Sequence, residues 1–277
     1  MRLQNLKGKV EYIELSDTGM VRDHNEDAVA ADLDVGLLIL ADGMGGYNAG
    51  EVASSIAVKI TADIVRTRMI NEDDDGIDPE SGLTRPSIIL RDAIAQANKV
   101  IYQTAQSKTQ CEGMGTTVAA VLFYDNRVSL AHVGDSRIYR LRNRRFEQVT
   151  QDHSLLQELI DRGFYSREEA ERSLNKNYVT RALGVEPQVD VEVREENVLP
   201  DDLYILCSDG LSDMVDDEDI HLTISTFNAS LEMVGKHLIQ LTNDNGGKDN
   251  VSIMLAKVNK SFKIHKGVLD RVTHWFG

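Results

Sequence analysis

Four short runs of this 277-residue chain each tie a strand-like stretch to an aspartate. They are Leu37-Leu38-Ile39-Leu40-Ala41-Asp42-Gly43, Ala131-His132-Val133-Gly134-Asp135-Ser136, Leu203-Tyr204-Ile205-Leu206-Cys207-Ser208-Asp209-Gly210 and Gly246-Gly247-Lys248-Asp249-Asn250. In the first three the acid follows the apolar run and a glycine adjoins it; in the fourth the acid precedes Val251-Ser252-Ile253-Met254-Leu255. A fold that buries those strands must carry their acids along to the strand ends. Carboxylates brought together repel unless something positive lies between them. Divalent cations are the natural answer, since hard cations take oxygen ligands. A metal-dependent enzyme is therefore the leading expectation.

Charge narrows the partners. The formal net charge is −15 and the sequence pI is about 4.9. Nucleic acid as a main partner needs a basic face, so it is set aside. A phosphorylated protein is not excluded, because bound metal can make a site locally positive. The two cysteines, Cys111 and Cys207, fit neither a zinc motif nor a disulfide framework. Met1 to Lys7 lacks the apolar core of a secretion signal, and no apolar run is long enough for a membrane span. The expectation is a soluble, reduced, cytoplasmic protein.

The chain shows no internal repeat. Strands are expected over 9–15, 27–32 and 35–41. A helix is expected next, with Val52, Ile56, Ile60 and Ile64 as its stripe and Ala53, Ala57 and Val65 widening it. A second runs over about 87–106, with Leu90, Ala93, Ile94, Ala97, Val100 and Ile101 on one face. The acidic link 71–86 has a faint calcium-loop spacing at Asn71, Asp73, Asp75 and Gly76. Its twelfth position is Gly82, where a glutamate is required, so calcium is rejected there. Strands over 116–124, 127–133 and 136–141 form a meander turning at Asp125-Asn126. Residues 150–184 are polar and mixed, with a short helical pattern at Leu155, Leu156, Leu159 and Ile160. Two further strands, 203–208 and 251–258, flank a helix bearing Leu231, Val234, Leu238 and Leu241. Strands in meanders and helices in blocks predict antiparallel sheets with helices packed outside them. The glycines at 43, 45, 46 and 50 do not make a nucleotide loop, because Asn48 stands where the third glycine of that motif belongs.

Six ordered motifs now stand together. They are Arg22…Asn25-Glu26-Asp27, Ala41-Asp42-Gly43-Met44-Gly45-Gly46, Gly113-Met114-Gly115-Thr116-Thr117, Val133-Gly134-Asp135-Ser136-Arg137, Cys207-Ser208-Asp209-Gly210-Leu211 and Gly247-Lys248-Asp249-Asn250-Val251. The set, spanning roughly 14–258, resembles the metal-dependent Ser/Thr protein phosphatases of the PPM, or type 2C, family in a compact bacterial form. The resemblance implies an α+β fold, a four-layer αββα sandwich of two antiparallel sheets flanked by helices. It implies a phosphatase domain over 9–258, a flap-like insertion over 151–184 and a C-terminal tail over 259–277. It implies two Mn2+ or Mg2+ ions bridged by Asp42. The Gly43 carbonyl would bind the first, Asp209 and Asp249 the second, and Glu26 and Asp27 would order the surrounding water. Arg22 resembles the phosphate-binding arginine. Asp135 and Asp213, with Asp209, resemble the ligands of a weaker third ion in some members.

The residue chemistry agrees with that picture. Two cations a few ångströms apart acidify a water held between them and orient it as a nucleophile. Phosphoryl transfer then needs positioning and charge neutralisation more than covalent help. Arginine at 22 allows a two-pronged grip on phosphate. One departure matters: some relatives carry a histidine proton donor where this chain has Met44, which cannot donate. His24 is a weighed substitute, against a plain surface histidine. His153 is expected to be structural, and 151–184 to shape substrate choice. The tail has Val268, Val272, Trp275 and Phe276 on one helical face, and a terminal packed helix is its plain reading. The expected partners are phosphorylated Ser/Thr proteins and a cognate Ser/Thr kinase, for a monomeric enzyme. Two alternatives stand beside this: a phosphatase of an anti-sigma-factor antagonist, and a non-catalytic phosphoprotein binder.

Overall fold

Strand β3 (Leu37–Met44) has Leu37, Ile39 and Ala41 in one apolar layer and Leu38 and Leu40 in another. β10 (Leu203–Cys207) and β11 (Val251–Val258) divide the same way: Ile205, Cys207, Ile253 and Leu255 face outward, Tyr204, Leu206, Met254 and Ala256 inward. Strands buried on both faces read as unbroken apolar runs, which is how the sequence presents them. Two such sheets back to back, each with an outer apolar face, need helices on both sides. The result is four layers around three apolar seams.

The structure is a computed structural model that describes residues 6–46, 49–72, 76–166 and 178–263. One sheet has the order β1-β11-β10-β7-β8, where β1 is Val10–Asp17, β7 Arg137–Arg142 and β8 Arg145–Gln148. The other runs β2-β3-β5-β6-β9, where β2 is Asp27–Asp32, β5 Val118–Tyr124, β6 Arg127–Val133 and β9 Glu192–Asn197; the two-residue β4 (Gly115–Thr116) adds to the end of β3. Every pairing between these strands is antiparallel.

Helices α1 (Ala49–Asn71) and α2 (Arg85–Ser107) cover the second sheet. The stripe on α1 departs from the expectation by one position. Val52 is exposed, and the seam is made by Ala53, Ala57, Thr61, Val65 and Met69. Ala53, Ala57 and Val65, expected at the margin of the stripe, are its buried centre, where small residues let α1 lie close against α2 and the sheet, while Ile56 and Ile64 pack half-buried beside them. The first sheet is covered by α4 (Asp209–Ser212), α5 (Asp217–Thr226) and α6 (Leu231–Asp244), through Leu211, Ile220, Ile224, Val234 and Leu238. Helix α3 (Leu155–Asp161) lies within residues 151–184, capped by Ser154 Oγ accepting from the Gln157 N–H.

The turn at Asp125-Asn126 has positive φ at both residues (42° and 59°), as a tight hairpin between right-twisted strands requires. Packing continues past Val258: Phe262 is buried against Phe123, and its N–H donates to Asn126 Oδ1. Asp73 and Asp75 of the calcium-like spacing, residues 167–177, and Val268, Val272, Trp275 and Phe276 of the expected tail helix lie outside the described residues.

Two glycines test how tightly the layers approach. A Cβ on Gly210 would sit 1.9 Å from the Asn250 carbonyl oxygen, a backbone atom with nowhere to go. A Cβ on Gly235, in α6, would meet only the ends of Leu15 and Ile13, at 2.6 and 2.7 Å. Gly210→Ala should cost about 1–3 kcal/mol or more. Gly235→Ala should cost far less, because flexible side chains can yield and alanine adds about 1 kcal/mol of helix propensity. Thermal unfolding of the two variants checks this; equal losses would contradict the tight strand-end contact.

Candidate active site

Strand register brings the acids together. Asp27 at the start of β2 is the direct partner of Asp42 near the end of β3. Asp209 opens α4 directly beyond β10, and Asp249 precedes β11, which pairs with β10. The Asp42 carboxyl feels the charges of Asp27 and Asp209 most among its acidic neighbours. Asp249 acts electrostatically on Asp27, Asp42 and Asp209. Asp135 follows β6 and presses on Asp42 and Asp209; the exposed Asp213, just past α4, presses on Asp135 and Asp209. The glycine at 43 is dictated by crowding: a Cβ there would lie 2.2 Å from the Gly50 carbonyl oxygen and 2.7 Å from that of Glu26. Glu26 extends its carboxylate toward Gly50, with His24 Nε2 3.2 Å from its Oε1. The exposed Arg22 guanidinium donates to Asp249 Oδ2 at 2.6 Å.

A polar frame, whose members the motif pattern contained without roles, fixes this geometry. Asn250 is its hub. Its side chain accepts from the Glu26 N–H (2.8 Å) and donates to the Thr18 and His24 carbonyls (3.0 Å each), so the loop bearing Arg22 and Glu26 is tied to the start of β11. Ser208 donates to Asp27 Oδ2 (3.0 Å) and accepts from the Ser252 N–H (2.9 Å). Asn25 links Ser16 to the Asp27 N–H. Thr117 Oγ1 accepts from the Asp42 N–H while Thr116 Oγ1 and the Thr117 N–H donate to the Asp42 carbonyl. Arg137 grips Asp152 with Nε and Nη2, holding it near Asp135.

These acids are unfavourable alone. Burial, then the neighbouring acids, raises Asp42 and Asp209 well above the ordinary carboxylate range. Burial leads for Asp27 and Asp135 too, each raised to about 6. Asp27 Oδ1 and Asp209 Oδ1 are buried with no hydrogen-bond partner among the described residues. Orphaned anionic oxygens are costly, and a hard divalent cation satisfies them. The donor set fits Mn2+ or Mg2+.

A different group, His132, His153 and Glu192, has ligand atoms within 4.8 Å of one another. It does not fit an ion. The His132 and His153 rings stack, with centroids 4.5 Å apart and planes at 21°, so their in-plane lone pairs run side by side rather than converging. His153 Nδ1 accepts from the Gly134 N–H (3.1 Å), which leaves the ring proton on Nε2, toward Glu192 Oε2 at 3.5 Å. Arg181 Nη1 stands 3.3 Å from the same nitrogen. His153 also accepts from the Thr180 N–H and donates to the Gly134 carbonyl through its backbone. It ties residues 153 and 180 to the Asp135 turn, the structural role expected of it.

Acids raised in the folded chain bind protons that the unfolded chain releases. Between about pH 4, the ordinary carboxylate value, and about 6, that difference lowers stability as pH rises. In chelator, Asp135→Asn should therefore raise the thermal midpoint more at pH 7.5 than at pH 5. An equal effect of the variant at both pH values would contradict the repulsion.

A family model described as Protein phosphatase 2C matches residues 21–250. The chain is 37% identical over 249 residues to a serine/threonine phosphatase stp of Listeria welshimeri, covering 88% of this chain and 94% of that one. It is 39% identical over 250 residues to the serine/threonine protein phosphatase PstP of Mycobacterium tuberculosis, covering 90% of this chain but 45% of that longer protein. Among solved structures, the M. tuberculosis phosphatase PstP/Ppp superposes with a TM-score of 0.79 at 37% identity, over 91% of this chain and 99% of that one. A structure of the PstP catalytic domain in complex with two manganese ions gives 0.75 at 38% identity, again over 91% and 99%. With the layered sheets, the converging acids and these likenesses in hand, the chain belongs to the protein phosphatase 2C family.

Proposed function

We propose that this protein hydrolyses phosphoserine and phosphothreonine in protein substrates, with Asp42, the Gly43 carbonyl, Asp209 and Asp249 as the ligands of two Mn2+ or Mg2+ ions. The observation that carries it is the meeting of Asp27, Asp42, Asp209 and Asp249 from separate strand ends, with two buried carboxylate oxygens that have no hydrogen-bond partner among the described residues. When bound, such ions would acidify water for attack on phosphorus and neutralise phosphate oxygens. The chain's own residues do the placing. Glu26 and Asp27 border the cluster and orient water at its rim. Asp135 and Asp213, with Asp209, form a second, more open acidic corner suited to a weaker third ion. Arg22 is exposed and held by Asp249 through Nη2, so it can turn its outer donors to a phosphate while remaining anchored. Met44 lends no proton, so the leaving oxygen takes one from water or another group.

The setting follows from the same reading. Buried free thiols at Cys111 and Cys207 support a reducing, cytoplasmic compartment, and no helix among the described residues is long and apolar enough to cross a membrane. We infer a monomer that opposes a Ser/Thr kinase, with the flap-like 151–184 and the domain 9–258 as its working parts. The relatives named for serine/threonine phosphatase activity favour this over a non-catalytic binder.

Activity on a phosphothreonine peptide should require Mn2+ or Mg2+ and vanish in chelator. Asp209→Asn should lose about a hundredfold or more in kcat; full activity in that variant, or in chelator, would refute the assignment. Arg22→Ala should raise KM about tenfold with a smaller fall in kcat, and Arg22→Lys should recover only part of it. An unchanged KM would remove Arg22 from the phosphate site.

A further inference from the structure

Met44 follows Asp42 by two residues in β3, so both side chains leave the strand on the same face. Across the ladder Met44 is paired with Gly115. The space a Gly115 side chain would take is approached instead by Met44 Cε and Val185 Cγ2, each 3.4 Å from where its Cβ would lie. Met44 is half-buried and Val185 is 60% exposed.

Val185 is exposed on a rigid mount. Leu183 exchanges backbone hydrogen bonds with Thr116 in both directions, at 3.1 and 2.8 Å. The Gly184 N–H donates to Asn98 Oδ1 at 2.7 Å, and Asn98 Nδ2 donates to the Glu186 carbonyl at 3.1 Å. Asn98 is itself buried in α2. An apolar side chain on a free loop could fold inward; this one is fixed from both sides and kept in water. Its neighbour Met44 is on the face of the carboxylate cluster. Strand alternation therefore puts the Met44 side of this surface on the face of β3 that carries Asp42.

We infer that Met44 and Val185 form an apolar ledge, floored by Gly115, that receives an apolar side chain flanking the phosphorylated residue of the substrate. The inference rests on the phosphatase reading and adds a specificity rule to it. The charge balance points the same way. A chain of net charge −15 disfavours acidic flanks and favours basic ones, so a preference between two uncharged flanks, leucine over glycine, reads the apolar contact alone.

The test uses the full chain with Mn2+ and phosphothreonine peptides whose residues next to the phosphothreonine are leucine, glycine or glutamate. The intact protein should favour the leucine-flanked peptide over the glycine-flanked one by about tenfold in kcat/KM, the value of burying one such side chain. Val185→Asp should abolish that ratio, and Met44→Ala should lower it. Leu222→Asp, on exposed α5, should keep it, which separates the ledge from any general effect of a new charge. No preference in the intact protein, or a preference that survives Val185→Asp, overturns the ledge while leaving the phosphatase assignment standing. A protein inert on every peptide with Mn2+ overturns the phosphatase reading itself, and the ledge with it.

Discussion

Mutual repulsion among enclosed carboxylates is the constraint on which the rest of this molecule depends. Asp42 and Asp209 each feel burial first and neighbouring acids next, and both are driven toward the protonated form. A fold seeking only stability would not build this. It would separate the acids or replace them with apolar residues of similar size. Here the strands are in register so that the acids meet, and a frame of neutral hydrogen bonds through Asn250, Ser208, Asn25 and Thr117 holds them there. The arrangement makes sense when its purpose is to wait for a cation.

The sandwich supplies the rigidity. β3 and β10 lie in different sheets, and their apolar runs pack across the central seam through Leu38, Leu40, Tyr204 and Leu206. Asp42 lies two residues past Leu40 on β3, and Asp209 opens α4 two residues past the end of β10. Sliding either strand by one residue would turn its inward face outward. The core therefore fixes the site's geometry, and glycines at 43 and 210 let backbone approach backbone where a side chain would wedge the strand ends apart.

Much of this was legible in the sequence because the site lies at the ends of strongly apolar strands. Asp42, Asp135, Asp209 and Asp249 announce themselves by position, and the glycines beside them mark close approach. The long helices and the Asp125-Asn126 turn were readable by period and by turn chemistry. Other features were not. β9 reads Glu192-Val193-Arg194-Glu195-Glu196-Asn197 and looks like a charged loop; it forms a strand because Glu195 and Glu196 find Thr84, Ser87, Arg127 and Arg140 as partners. The β7–β8 hairpin hides behind Asn143-Arg144, since arginine at positive φ is no turn signal. The exact seam of α1 eluded the pattern because isoleucines outweigh alanines by hydrophobicity, whereas close packing favours the alanines. Asn250 had no visible role, as a side chain that bonds three backbone groups from a distant loop leaves no trace in local spacing.

The most direct test of the central claim is crystallographic: crystals grown with Mn2+ and measured for anomalous scattering at the manganese edge. The account predicts two strong anomalous peaks within coordination distance of Asp42, Asp209, Asp249 and the Gly43 carbonyl. Manganese absent from that cluster, or bound instead between His132, His153 and Glu192, would contradict it.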